Sequence, residues 1–263
     1  MKLALFQMSA LGNDAMRPDR IEAAMQEAAQ NGATLLVAPE LALSGYGRGA
    51  AFADIAQTAR GDWAERLTAT ARRLGISLIV GFPETRGDTR HISALIVDAQ
   101  GTAPASIYRK ACLYGDYEKQ YFHSPGPSTL IVDLAGLRVG VLICYDIEFP
   151  ENARRLAHAG AQLIAVPTAL PRGASGAFIS THVIRTRAFE NQVFVAYANH
   201  ADSDDTFTYQ GCSSIAAPDG ALLTAAPETG DALLYAEITP HDYADSRAEN
   251  PYLSDAEEIG LRM

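Results

Sequence analysis

Apolar residues recur along this chain in two rhythms. Lys2 to Met8 is a short apolar run of the kind a buried strand requires. From Arg17 to Asn31, Ile21, Ala24, Met25 and Ala28 recur at i, i+3, i+4 and i+7, which predicts a helix stopped by Gly32. Thr34 to Ala38 is apolar again and runs into Pro39-Glu40, so the chain opens with a β-α-β unit. The pattern then repeats: Trp63, Leu67, Ala71 and Leu74 mark a helix ending at Gly75, and Ile76 to Val80 a strand ending at Gly81.

The middle of the chain changes style, because its strands come in pairs joined by tight turns. Ile92 to Val97 and Ala103 to Tyr108 flank Gln100-Gly101, and Thr129 to Leu134 and Leu137 to Ile143 flank Ala135-Gly136. A helix is expected from Pro150 to near Gly160, a strand over Leu163 to Val166, a helix from about Phe178 to Asn191, and a strand over Val193 to Ala198. Ile215 and Leu222-Leu223 bracket a further turn at Pro218-Asp219-Gly220. No repeat, low-complexity tract or linker interrupts the pattern, which predicts one continuous α/β domain with mixed sheets over residues 1–263.

Composition narrows the function. The 263 residues are 48% apolar, enough to bury a full core, and 21 basic against 31 acidic residues leave a net charge of −10. That balance argues against nucleic acid or an anionic membrane face as partner and for a small molecule or another protein. No stretch approaches the ~20 apolar residues of a membrane span. The run after Lys2 is broken by Gln7 and Ser9 and lacks a small-residue cleavage site, so a strand is expected there rather than a signal peptide. Cys112, Cys144 and Cys212 lie far apart with no C-x-x-C spacing; neither a disulfide framework nor a zinc site is expected, and the implied compartment is the reducing cytoplasm. Among the basic residues only Lys2, Lys110 and Lys119 are lysine.

Three reactive residues sit just past apolar strands, where side chains leave the sheet and can converge on a cleft. Glu40 follows Leu35-Leu-Val-Ala-Pro39; taken alone, it reads more readily as a solvated loop acid than as a carboxylate in a dry mouth. Lys110 lies in Ile107-Tyr-Arg-Lys-Ala-Cys-Leu113, either as surface charge or as a compact donor able to approach an oxyanion. Cys144 ends Val139-Gly-Val-Leu-Ile143 and precedes Tyr-Asp-Ile-Glu-Phe-Pro-Glu151, so its thiol falls at a strand-to-turn junction rather than within a strand. Thiol, carboxylate and ammonium are the parts needed to cleave an unreactive carbonyl–nitrogen bond: nucleophile, proton carrier and oxyanion donor. The six histidines share no motif with Cys144, and P-loop, H-E-x-x-H and G-x-S-x-G patterns are absent.

Together the segments Pro39-Glu40-Leu-Ala-Leu-Ser-Gly45-Tyr46, Tyr108-Arg109-Lys110 and Cys144-Tyr145-Asp146-Ile-Glu-Phe149-Pro150-Glu151 resemble the nitrilase, or carbon–nitrogen hydrolase, superfamily, from Lys2 to about Gly220. The resemblance implies a four-layer α-β-β-α sandwich with two mixed β-sheets, associated as a homodimer or larger homo-oligomer. It implies Glu40 as general base, Lys110 as oxyanion-stabilising cation and Cys144 as a nucleophile forming a thioester, with the Tyr145 backbone N–H sharing the oxyanion. Glu118 corresponds to a second glutamate that holds Lys110 charged, its bland alternative being a solvated pair with Lys119. Tyr46, Tyr145, Thr168 and Ala169 are the expected substrate contacts, and no metal or cofactor is called for. Cys112 stands where members usually carry histidine. The Cys-Tyr-Asp context and compact length favour small amides, with N-carbamoyl compounds or nitriles as alternatives; a catalytically silent scaffold is the reading from another class. Gly173-Ala-Ser-Gly176 reads as a surface loop that could shape the acyl pocket, and the last forty or so residues carry no motif.

Overall fold

A computed structural model describes residues 1–12, 16–101 and 105–261. Its elements run β1 (Lys2–Ser9), α1 (Arg17–Gln30), β2 (Leu35–Val37), α2 (Phe52–Ile55), α3 (Asp62–Leu74), β3 (Ser77–Arg86), β4 (Thr89–Val97), β5 (Ser106–Arg109) and α4 (Gly115–Tyr121). Then follow β6 (Ile131–Leu134), β7 (Leu137–Val141), α5 (Pro150–His158), β8 (Leu163–Pro167), α6 (Ala174–Phe178), α7 (Ile184–Asn191), β9 (Phe194–Ala198) and β10 (His200–Ala201). The chain closes with β11 (Ser214–Ala216), β12 (Leu222–Ala225), β13 (Ala232–Glu237), α8 (Ala244–Glu249) and α9 (Tyr252–Glu258).

Successive residues of a strand face opposite sides of the sheet, and here both sides are apolar. Leu3, Leu5, Leu35, Val37 and Ile79 turn inward and join a core with Val139, Val141, Leu163 and Val166 of the second sheet. Ala4, Phe6, Leu36, Leu78 and Val80 turn outward onto Ile21 and Met25 of α1 and Leu67 and Ala71 of α3. Helices α5 and α7 cover the far face of the second sheet through Ala153, Leu156, Ile184 and Ala188. The layers are therefore α-β-β-α, as the resemblance implies. The first sheet has the order β10-β1-β2-β3-β4-β5 with β13 also on β1, and the second β12-β11-β9-β8-β7-β6; each mixes parallel and antiparallel pairs.

Most boundaries fall where periodicity places them, and the departures have local causes. The strand expected to end at Gly81 continues to Arg86, because Gly87 reverses the chain and lets β3 pair with β4 along its whole length. The Ala135-Gly136 turn has φ of 49° and 82°, the doubly positive geometry that a two-residue hairpin demands. The helix expected from Phe178 begins instead at Ala174 and passes through a π-turn over Ile179–Val183 into α7, so Gly173–Gly176 opens a helix rather than forming a loop. Ala103 of the expected hairpin lies outside the described residues. The motif-free C-terminal region contributes β13, which pairs with Lys2–Gln7 of β1. No helix among the described residues is long and apolar enough to cross a membrane.

Candidate active site

Two of the three strand-end residues, Glu40 and Cys144, leave their strands through a fixed device. Glu40 follows β2 and precedes Leu41, whose φ is 50°. Gly81 of β3 makes this corner possible: its N–H donates to the Pro39 carbonyl at 3.0 Å, and its carbonyl accepts from the Leu43 N–H at 3.2 Å. A Cβ on Gly81 would stand 2.3 Å from the Leu41 nitrogen and 2.5 Å from the Glu40 Cα, so only glycine lets the two backbones cross here. His200 of β10 supports the corner from the other side. Burial pushes its pKa down to about 4, so the ring is neutral with one N–H, and the shorter contact, 2.8 Å from Nε2 to the Glu40 carbonyl oxygen, receives that proton.

Cys144 begins a single-turn 3-10 helix over Cys144–Glu148 after β7, and its φ of 46° is the left-handed region that a non-glycine residue occupies only when its surroundings enforce it. Asp146 does the enforcing. Its carboxylate accepts from the Ile143 N–H at 3.1 Å, the Cys112 N–H at 2.7 Å and the Tyr108 hydroxyl at 3.0 Å, while Asn152 donates to its carbonyl at 2.8 Å. The cysteine turn is thus tied to the segment that carries Lys110. Asp146 was not singled out from sequence, where it reads as one of two acids in an exposed-looking turn; the structure buries it completely.

Four predicted residues meet at one point. Lys110 Nζ donates to Glu40 Oε1 at 2.8 Å and to Glu118 Oε1 at 2.7 Å, with all three side chains withdrawn from solvent. Glu40 is therefore the dry carboxylate, not the solvated loop acid. Glu118, on α4, is also wholly buried; it takes the Tyr46 hydroxyl on Oε1 and the Tyr114 N–H on Oε2, each at 2.7 Å, and does not pair with Lys119. Tyr46 and Thr168 are placed behind the cavity rather than in its lining: Tyr46 through Glu118, and Thr168 through a 3.0 Å hydrogen bond to the Val166 carbonyl. The Ala169 N–H lies against the thiol, which it favours as thiolate.

The electrostatics follow from burial. Desolvation raises the Glu40 carboxyl to about 7 despite the Lys110 ammonium beside it, and the Glu118 charge pushes the same way. Burial and the Glu40 charge hold the Cys144 thiol well above its ordinary value. For Lys110 burial works against the ammonium, but the carboxylates of Glu118 and Glu40 outweigh it and keep it protonated. Glu40 Oε1 is occupied by Lys110, whereas Oε2 is buried without a nitrogen donor, and among the described residues the Cys144 thiol is the remaining group within hydrogen-bonding reach of this carboxylate. The thiol opens into a cleft of about 460 Å³ lined by Tyr114, Tyr145, Glu148, Leu170, Arg172 and the α6 N-terminus. Chemically, the arrangement places a thiol in the cavity wall and, buried behind it, a carboxylate able to exchange protons near neutrality and a protonated lysine. Among the described residues no group of His, Cys, Asp and Glu is placed to hold a metal.

Comparison with known proteins agrees with this geometry. The sequence model for carbon-nitrogen hydrolases matches residues 2–248. A protein of Pseudomonas protegens described as "Hydrolase in pqqF 5'region" is 42% identical over 260 residues, covering 97% of this chain and 88% of its own. The crystal structure of an amidase from Nesterenkonia sp. superposes with a TM-score of 0.85 at 31% identity, covering 99% of this chain and 95% of that one. A variant of the Nesterenkonia amidase with the acetamide moiety of fluoroacetamide covalently added at its active-site cysteine gives a TM-score of 0.82 at 32% identity, with 95% and 94% covered. The chain belongs to the carbon-nitrogen hydrolase family of the nitrilase superfamily.

Proposed function

We propose that the protein hydrolyses the C–N bond of a small carboxamide to carboxylate and ammonia through a thioester on Cys144. The observation that carries this reading is the asymmetric clasp on Lys110, with one carboxylate fully hydrogen-bonded by Lys110, Tyr46 and the Tyr114 N–H and the other left to face the Cys144 thiol. Glu40 takes the thiol proton as sulfur attacks the amide carbon. The developing oxyanion is held by the Lys110 ammonium and the Tyr145 backbone N–H. When the tetrahedral adduct collapses, Glu40 returns the proton to the departing nitrogen, and ammonia leaves. Glu40 then accepts a proton from water as its oxygen adds to the thioester; collapse expels the thiolate, which is reprotonated, and the carboxylate product is released. The pKa values of thiol, carboxylate and ammonium belong to the cluster, since each group sets the charge felt by the others.

The amidases among the superposed structures support amide over nitrile. Ammonia release from a panel of small amides, with Cys144→Ala as control, tests the reading, and intact-mass detection of an acyl adduct on Cys144 identifies nucleophile and acyl group together. Release from nitriles or N-carbamoyl compounds alone would replace the amide assignment. No release from any of the three classes would favour a silent scaffold.

A further inference from the structure

One charged side chain in the cleft takes no part in the chemistry above. Glu148 closes the 3-10 turn that begins at Cys144, and it lines the same cavity as the thiol. Its backbone is fixed: Arg187 donates through Nε to the Ile147 carbonyl at 2.9 Å and through Nη2 to the Glu148 carbonyl at 2.7 Å. The remaining Arg187 nitrogen, Nη1, is 3.0 Å from Glu190, so the guanidinium holds the turn without neutralising the Glu148 carboxylate. That carboxylate has neither a hydrogen bond nor an ion pair with any described residue. Burial raises its pKa, with Lys110 and Arg187 acting the other way only through space.

The other charges around the cavity do not compensate it. Arg172 stands at the rim with Nη2 2.8 Å from Glu228 Oε2, both side chains substantially exposed, so its charge is already paired in solvent. Behind the thiol one ammonium faces two carboxylates. The wall beside Glu148 is aromatic: Tyr114 packs edge-on to Tyr145 at 5.2 Å between ring centroids, and Tyr145 edge-on to Phe149 at 5.0 Å. An unpaired carboxylate in a cavity with an aromatic wall is the environment that favours an alkylammonium group and disfavours an anion.

We infer that Glu148 is a specificity-determining residue and that the acyl group of the substrate carries an amino group, which Glu148 receives as an ammonium against the Tyr114–Tyr145 wall. This inference rests on the amidase reading and deepens it by naming the substrate class. Three amides of similar size separate the possibilities: β-alaninamide, its uncharged isostere butyramide, and succinamate, which carries a carboxylate. The expected result is a kcat/KM for β-alaninamide at least about tenfold above that for butyramide, with succinamate lowest, and most of the difference in KM. In Glu148→Gln the β-alaninamide to butyramide ratio falls by about tenfold, and Glu148→Asp restores part of it. Equal kcat/KM for the first two in the wild type, or a preference for succinamate, overturns the inference while leaving amide hydrolysis intact. If no amide is turned over, the amidase reading fails by itself. Calorimetric binding of the same compounds to Cys144→Ser then decides the inference, which tighter binding of β-alaninamide supports and equal binding overturns.

Discussion

Two carboxylates grip the same ammonium from opposite sides, and they are not equivalent. Glu118 receives three donors, from Lys110, Tyr46 and the Tyr114 backbone, so both of its oxygens are engaged. Glu40 receives Lys110 on one oxygen, and its only further neighbour of this kind among the described residues is the Cys144 thiol. A buried carboxylate with few donors holds its proton more tightly, and desolvation accordingly lifts Glu40 to about 7. The lesson is that burial alone does not assign a role: the satisfied member of such a pair anchors charge, and the under-solvated member moves protons.

Breaking the clasp at different points yields losses of different size. Glu40→Gln removes the proposed proton carrier while keeping the shape, and kcat/KM for the proposed amide hydrolysis is expected to fall by about 10²–10⁴-fold. Lys110→Ala removes the proposed oxyanion donor, at an expected cost of about 3–4 kcal/mol in the transition state, read as the ratio of kcat/KM values; near-normal turnover would refute the role. Asp146→Asn replaces one of two acceptor oxygens with a donor where three donors already converge, so stability is expected to drop by about 1–3 kcal/mol in denaturant melts. Glu118→Gln should lower activity less than Glu40→Gln. Because the Glu118 charge helps raise Glu40, its loss should move the acid limb of the pH–rate profile to lower pH.

The pH dependence has two signs that can be separated. In the proposed mechanism Glu40 acts as a base and must be ionised, so activity is expected to rise as pH climbs through about 7. Stability moves oppositely. Between the usual 4.5 of a glutamate and about 7 the native state binds more of this proton than the unfolded chain, so the contribution is complete below that window and lost through it. Glu40→Gln should flatten both trends, as melts and rate profiles over that range will report.

The sequence made the chemistry legible wherever it sits at a strand end. Cys144 and Glu40 each follow an apolar run that reads as a buried strand with a parallel neighbour, whereas Lys110 follows the half-buried Ser106–Arg109 strand, which pairs antiparallel with β4. Glu118 entered only through resemblance, because the short α4 that carries it has no strong period of its own. The supporting shell was illegible for a different reason. The Asp146 contacts to Tyr108 and Cys112 span 38 and 34 residues, and the His200 contact to Glu40 spans 160, so no local pattern encodes them. The pairing of β13 with β1 was likewise hidden, since it joins residues at the two ends of the described chain.

The division of labour between the two glutamates can be tested without knowing the substrate. The measurement is the rate at which a small alkylating amide, such as iodoacetamide, modifies Cys144, followed by intact mass from pH 5 to 9 in the wild type, Glu40→Gln and Glu118→Gln. The account predicts a wild-type rate that rises through about 7, a slow rate without that limb in Glu40→Gln, and a limb shifted to lower pH in Glu118→Gln. A limb that survives in Glu40→Gln and vanishes in Glu118→Gln would reverse the assignment and contradict the account.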